Sequence, residues 1–416
     1  MVAKSMRFQL KGSKQRPLSV EDYRRRARRS VPRMVWAYVD GGAEDMATLR
    51  DNRSAFGRWT LRQRVLTGLP AGEDLGVEVA GVPLDLPVLL APTGMTGLSH
   101  WQGELGAARA AERAGTRLVL SSAATYSLEE LGAGTDLDHW FQLYPWRDKE
   151  LMGSLLARAS RAGMHTLFVT VDVPVHGNRE LEQRHGVSTP PVLTPLRVLD
   201  AAVHPRWWYG FLRYQRVSLA NMADDTGWSQ AVATVRKQAG LLRPDLGWAD
   251  LEWLRDQWSG PMFVKGILDP ADAVRAIEVG CEGVVVSNHG GRQLDGVPAS
   301  LDVLPEISAA VGDRGQVLLD GGIRRGTDVV KALCLGATAV CIGRPFLYGL
   351  AAGGPDGVSD VLRILRTEIA RTLRLMGACR VSELDRSWLI RHDDPAATTP
   401  DDEQPATWRA EEGRVR

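Results

Sequence analysis

Between Ser287 and Gly296 the chain reads SNHGGRQLDG, which sets His289, Arg292 and Asp295 within seven positions, directly after the apolar run Gly283-Val284-Val285-Val286. A histidine can take or give a proton near neutral pH, and an arginine presents a planar fork that matches a carboxylate. Alone, a histidine after a strand is more often a structural hydrogen-bonder than a base, and the stretch reads equally well as a polar turn. What else ends an apolar run at a comparable place decides the matter. The collection contains Thr93 and Gly94 after Pro92, Ser121, Gln142 and Tyr144, and Thr170 and Asp172. It continues with Lys265, Ser287 with His289 and Arg292, Asp320 with Arg324, and Gly343 with Arg344. Each has a bland reading; Lys265 after Met262-Phe263-Val264 could be an ordinary strand-end lysine. Together, several cations, a histidine and two aspartates at one rim repel or desolvate one another unless ligands or partners compensate them, which favours a site.

The elements that must carry these residues are short apolar runs ending in polar or glycine residues. They are LPVLLAPTG (86–94), RLVLSS (117–122), HWFQLY (139–144), TLFVTVD (166–172), MFVKGI (262–267), GVVVSNHG (283–290), VLLDGG (317–322) and AVCIGRPF (339–346). Helix-like segments stand between most of them, at 103–115, 148–163, 270–280 and 327–337, each closing near a glycine. Continuous apolar strands alternating with helices predict a parallel sheet covered on both faces, and eight such units close a (β/α)8 barrel, a TIM barrel. An open doubly wound sheet would alternate too, but GxGxxG follows no strand, and the polar strand ends are spread over all eight units. The last two units carry DGGIRRG (320–326) and IGRPF (342–346), where such barrels frequently hold a phosphate on backbone N–H groups. Gly321, Gly322 and Gly343 let backbone approach, and Arg324 and Arg344 add charge; the competing reading is that the glycines only end strands. A phosphate-bearing cofactor, a histidine base and further arginines suggest an oxidoreductase acting on an acid.

The 416 residues suffice for two domains or one barrel with additions, and 51 basic against 50 acidic side chains give no reason to expect nucleic acid. Four cysteines, Cys281, Cys334, Cys341 and Cys379, form no CxxC pair, so neither a metal site nor a disulfide framework is expected. No secretory signal is recognisable at the amino terminus and no apolar run reaches the roughly 18 residues that span a bilayer, so a cytoplasmic place is expected. Outside the repeat lie a flexible extension at 1–17, a helical cap at 18–60, a long insertion at about 173–250 and a disordered tail at 392–416.

SNHGGRQLD, with VKG before it and LDGGIRRGTDVVKALCLGA and IGRPF after it, resembles the FMN-dependent L-2-hydroxy acid oxidases and dehydrogenases. PRMVWAYVDGGAED, LAPTGM, FQLYPWRD and TVDVPVHGNRE extend the similarity from about 18 to 390. The resemblance implies a (β/α)8 barrel and FMN, with His289 as base, Asp172 as its partner and flavin N5 as hydride acceptor. It implies that Arg292 and Arg179 clamp the substrate carboxylate, that Tyr38 adds a hydroxyl, and that Tyr144 binds the substrate hydroxyl. Lys265 would stand at the N1/O2 edge of the ring; Gln142, Thr170, Ser121, Ser287 and Pro92 to Gly94 would hold the ring. Asp320, Gly321, Gly322, Arg324, Gly343 and Arg344 would hold the phosphate end. An FMN barrel of other chemistry, such as an isopentenyl diphosphate isomerase, is the alternative.

Ala123 is small where glycolate oxidase carries tryptophan, so lactate and mandelate are both open, and Gly94 leaves more room beside the flavin than alanine would. The insertion resembles the membrane-associated bacterial branch of L-lactate and (S)-mandelate dehydrogenases. Its segment 198–222, with Trp207, Trp208, Tyr209 and Phe211 among Arg206, Arg213 and Arg216, could lie on the inner face of a membrane or form an aromatic lid. The acceptor, whether oxygen, quinone or another carrier, is left open, and a homo-oligomer, tetramer or octamer, is expected from the family.

Overall fold

The computed structural model describes residues 16–188, 191–222 and 228–392. The expected tail, and the extension up to residue 15, lie outside the described residues. Eight parallel strands stand where the apolar runs do, all but the fifth shorter than their runs: Val88–Leu90, Val119–Ser121, Trp140–Leu143, Leu167–Thr170, Met262–Ile267, Gly283–Val286, Gln316–Asp320 and Ala339–Ile342. From the second strand on, each pairs with the next, the eighth pairs with the first, and an isolated parallel bridge from Leu90 to Leu118 joins the first to the second and closes the ring. The sheet is a (β/α)8 barrel.

Side chains alternate across a strand, so every second residue points into the barrel. One set, Leu89, Val119, Trp140, Phe168, Phe263, Val285, Leu318 and Cys341, forms an inner core of its own. Phe168 stacks between Trp140 and Phe263 at centroid distances of 5.7 and 5.2 Å. The other set, including Leu90, Leu120, Phe141, Val169, Val264, Val286, Leu319 and Ile342, packs outward in the larger core shared with the helices.

The mouth at the amino ends of the strands is plugged by a hairpin absent from the sequence reading, Val77–Val79 with Val82–Leu84. Its two turn residues, Ala80 and Gly81, both have positive φ, the pairing that a two-residue hairpin turn requires. Gln316, first in its strand, accepts from Ala80 N at 2.9 Å and donates to the Glu78 carbonyl at 3.0 Å. Two barrel helices were also unforeseen. Leu128–Gly134 is short, and Ser300–Val311 carries Pro305 inside, which reads as a break in sequence.

The opposite mouth is covered by the cap helices Val20–Ser30, Arg33–Asp40 and Ala47–Ser54. The segment after strand four holds Glu180–Arg184, Pro195–Ala202, Pro205–Tyr214 and Trp228–Leu241; the next helix, Trp248–Gln257, buries Leu251 and Leu254 in the common core. Cap and barrel are joined by a buried reciprocal amide pair. Asn52 Nδ2 donates to Asn288 Oδ1 at 2.8 Å, and Asn288 Nδ2 returns a bond to Asn52 Oδ1 at 2.9 Å. Truncating either member leaves the other buried without its partner. Asn52→Ala is therefore expected to lower stability by about 2 kcal/mol, measured as a fall in the urea midpoint. An unchanged midpoint would show that the pair does not hold the cap.

Candidate active site

Two residues beyond each inner-core side chain, the strand reaches the upper rim on the same face. Val119 leads to Ser121, Trp140 to Gln142, Phe168 to Thr170, Phe263 to Lys265, Val285 to Ser287 and Leu318 to Asp320. They roof the barrel, and Lys265 and Asp320 among them line one cavity of 1470 Å³. Its walls include Tyr38, Pro92, Thr93, Gly94, Tyr144, Arg179, Lys265, His289, Arg292, Asp320, Gly321, Gly322, Arg324, Gly343 and Arg344. Ser121, Gln142, Thr170, Asp172 and Ser287 stand behind that wall rather than in it, each buried or nearly so.

Lys265 is nearly inaccessible and held at 2.8 Å from both Ser287 Oγ and Asp320 Oδ2. Against its burial, Asp320 and Asp172 keep its pKa above the ordinary lysine value. Lys265 is thus a fixed cation in the floor. Ser287 is fully engaged, because it also donates to Asp320 at 3.0 Å and accepts from His289 N at 3.1 Å.

His289 Nδ1 lies 2.9 Å from Asp172 Oδ1, leaving Nε2 as the ring nitrogen available to the cavity. Burial, with Lys265 and Arg179 close by, lowers the His289 pKa although Asp172 pulls the other way. Burial pushes Asp172 up, but His289 and Lys265 outweigh it and hold the carboxyl below its ordinary range. Gly266 makes room for this pair: at φ +108, a Cβ there would stand 2.6 Å from Asp172 Cβ. Tyr144 is pushed up to about 12, first by burial and then by Asp172, so it keeps its proton.

The two arginines have partners within the chain. Arg292 donates to the Tyr38 carbonyl at 2.8 Å, the Gly41 carbonyl at 3.1 Å and Glu182 Oε1 at 2.8 Å. Arg179 donates to the Arg292 carbonyl at 3.2 Å and Gln293 Oε1 at 3.1 Å. Tyr38 OH donates to the Gly94 carbonyl at 3.0 Å. At Gly94 a methyl would lie 3.1 Å from Ala123 Cβ and 3.5 Å from the Tyr38 hydroxyl.

Sequence reasoning assigned no role to four residues that hold this rim together. Gln293, besides receiving Arg179, donates to the carbonyls of Asp172 and Val175 at 3.1 and 2.9 Å. Asp295 caps the helix Ala47–Ser54, accepting from the N–H groups of Ala47 and Thr48. Asn288 makes the amide pair with Asn52. Of these, Asn288, Gln293 and Asp295 stand inside the opening motif. Glu182 is the fourth, and its spacing of three from Arg179 was the available signal.

The insertion divides. Trp207 and Phe211 stack at 4.4 Å and face the cavity, with Trp207 Nε1 donating to the Leu98 carbonyl at 2.6 Å. Arg216 is tied to Glu130 at 2.7 Å. Leu193, Leu196, Leu199, Val203, Tyr209 and Leu212 are exposed, Leu196 by 79%. Among the described residues no helix is long and apolar enough to cross a membrane.

Residues 27–391 match the FMN-dependent dehydrogenase family. The chain is 42% identical to an L-lactate dehydrogenase of Caulobacter sp., covering 90% of this chain and 99% of that protein. It is 43% identical to an L-lactate oxidase of Nostoc sp., covering 90% and 98%. Among solved structures, the monotopic membrane protein (S)-mandelate dehydrogenase superposes with a TM-score of 0.87 at 39% identity, covering 91% of this chain and all of the other.

The cavity suits the cofactor that the family name carries. Thr93 Oγ1, Gln142 Nε2 and Thr170 Oγ1 at the strand ends, and Arg324 Nε and Arg344 Nε at the glycine loops, are buried with no hydrogen-bond partner among the described residues. A polar ring edge and a phosphate would satisfy them. A Cβ on Gly343 would meet only Thr93 Cγ2 at 3.5 Å and Ala91 Cβ at 3.9 Å, so protein packing alone does not demand glycine there. Burial, with Arg292 and Arg324 near, pushes Arg344 down to about 10, and an anion beside it would offset that shift. Among the described residues the Arg324 guanidinium makes one hydrogen bond, to the Ile323 carbonyl. Arg324→Ala is expected to weaken FMN binding roughly 10- to 100-fold, read from flavin fluorescence on dilution, while riboflavin binding stays unchanged. An equal loss for riboflavin would show that Arg324 does not serve the phosphate.

Proposed function

We infer, from the premise that this chain belongs to the FMN-dependent dehydrogenase family, that His289 is the base of an L-2-hydroxy acid oxidation. The chain is an oxidoreductase that uses FMN and converts an L-2-hydroxy acid to the 2-oxo acid. An isomerase chemistry on the same barrel finds no support among these relatives. Bound FMN supplies the two-electron acceptor.

The observation that carries the reading is the His289–Asp172 pair facing the same cavity as Arg179 and Arg292. The substrate hydroxyl gives its proton to His289 Nε2, and Asp172 at Nδ1 stabilises the imidazolium as it forms. Arg179 and Arg292 hold the carboxylate, and neutral Tyr144 and Tyr38 supply hydroxyls beside it. Lys265 fixes a positive charge under the site where negative charge builds up. Gln142 and Thr170, with Pro92 to Gly94, bind the ring; Arg324, Arg344 and the loops at Gly321, Gly322 and Gly343 take the phosphate.

Above this polar floor the cavity is lined by Leu98, Ala123, Leu193, Leu196, Trp207 and Phe211. Such walls favour an acid with a sizeable apolar or aromatic side chain over a lactate-sized one. The exposed apolar side chains of 193–212 stand on the same segment, and they fit peripheral contact with a lipid surface rather than water.

His289→Ala keeps its yellow flavin, and anaerobic bleaching by an L-2-hydroxy acid slows roughly 10²- to 10⁴-fold; bleaching at the native rate would remove the base. A base works only when neutral, and burial lowers the His289 pKa. The native kcat/KM should therefore be flat at neutral pH and fall only as pH drops through a value below 6.5. Asp172→Asn removes the charge that raises this pKa, so the acidic limb moves to lower pH while the plateau falls roughly 100-fold. A limb that stays put would count against the pair. Leu196→Asp with Leu199→Asp should abolish co-sedimentation with anionic liposomes and leave flavin content intact; retained sedimentation would move the membrane face elsewhere.

A further inference from the structure

The walls of the carboxylate site include a negative charge that the reaction does not use. Glu182 sits on the short helix Glu180–Arg184, its side chain only 8% exposed, with Oε1 at 2.8 Å from Arg292 Nη2 and Oε2 at 4.0 Å from Arg179 Nη1. It lines the same cavity as His289 and both arginines. A buried carboxylate beside the binding place of another carboxylate is costly unless the charges around it balance.

We propose that Glu182 is a positioning and specificity residue that sets the charge of the Arg179–Arg292 pair so that one substrate carboxylate, and no more, is neutralised. The charges count as follows. Lys265 and Asp320 cancel at 2.8 Å in the floor. An anion entering the cavity favours the protonated imidazole, and in that state Asp172 is balanced by His289. Arg324 and Arg344 stand at the phosphate end. That leaves two positive charges on Arg179 and Arg292 against one negative charge on Glu182, a surplus of one. A monocarboxylate closes the balance; a second carboxylate on the ligand would be buried without a counter-charge.

Glu182 also fixes geometry. Arg292 has its Nη1 held by two cap carbonyls, and Glu182 supplies the acceptor for Nη2, so the guanidinium plane is set before a ligand arrives. Pre-set orientation of this kind lowers the ordering cost of binding.

The inference rests on the reading that the arginine pair receives the substrate carboxylate, and its test separates the two. FMN-loaded protein is titrated with oxalate, a dianion, and with pyruvate and benzoylformate, both monoanions, following the perturbation of the flavin absorption spectrum. Glu182→Gln keeps an oxygen for Arg292 Nη2 and removes only the charge. Its affinity for oxalate relative to the monoanions should rise about tenfold. Glu182→Asp keeps the charge on a shorter stem, and its ratio should stay within about twofold of native. A Glu182→Gln ratio that also stays within about twofold of native, or a Glu182→Asp ratio that shifts as the Gln variant does, would overturn the charge-setting role while leaving the carboxylate site standing. If the native protein binds neither oxalate nor the monoanions, the arginine pair is not a carboxylate site and both readings fall.

Discussion

Alternation along a β-strand governs the geometry from which this site follows. In a closed barrel, residues two apart share the inward face, so the side chains that fill the interior and those that stand at the rim belong to one series. Trp140, Phe168 and Phe263 stack across the barrel and fix the spacing of three neighbouring strands. Two residues on, the same strands deliver Gln142, Thr170 and Lys265 side by side. Interior packing and placement of polar groups are thus a single constraint: a slip of one residue in any strand would bury its polar end residue against the helices and turn an outward-packed side chain toward the cavity.

Charge balance is the second layer. A site this buried groups its ions with opposite charges beside them. The floor shows one in Lys265, Ser287 and Asp320, the proton-transfer pair a second in His289 and Asp172, and the rim a third in Arg179, Arg292 and Glu182. The sets are not isolated. Lys265 acts on both His289 and Asp172, so the floor cation favours a neutral imidazole and an ionised aspartate at once. This is the state in which a base and its partner are ready for a proton.

The sequence made the barrel legible because eight fully apolar runs leave few other folds open, and the rim residues followed from the ends of those runs. The family resemblance then supplied roles that spacing could not. What stayed hidden depended on contacts distant in the chain. Asn52 and Asn288 are 236 positions apart, and nothing local in either marks a pair. The plugging hairpin was missed because VEVAGVPL is short and lacks the asparagine or aspartate that commonly announces such a turn.

His289 shows how the two layers meet. Its φ of +58 is a conformation that non-glycine residues rarely adopt, with a cost on the order of 1 kcal/mol or more. Gly290 and Gly291 follow with φ of +65 and +70, so the chain turns sharply as it leaves the strand. Three anchors hold that turn from different sides: Ser287 Oγ accepts the His289 N–H, Asn288 reaches to the cap, and Gln293 reaches to the loop bearing Asp172. Strain at the reactive residue persists because the surroundings over-determine it. The polar residues of SNHGGRQLD other than His289 and Arg292 therefore serve mainly to keep one imidazole at a fixed distance from one carboxylate.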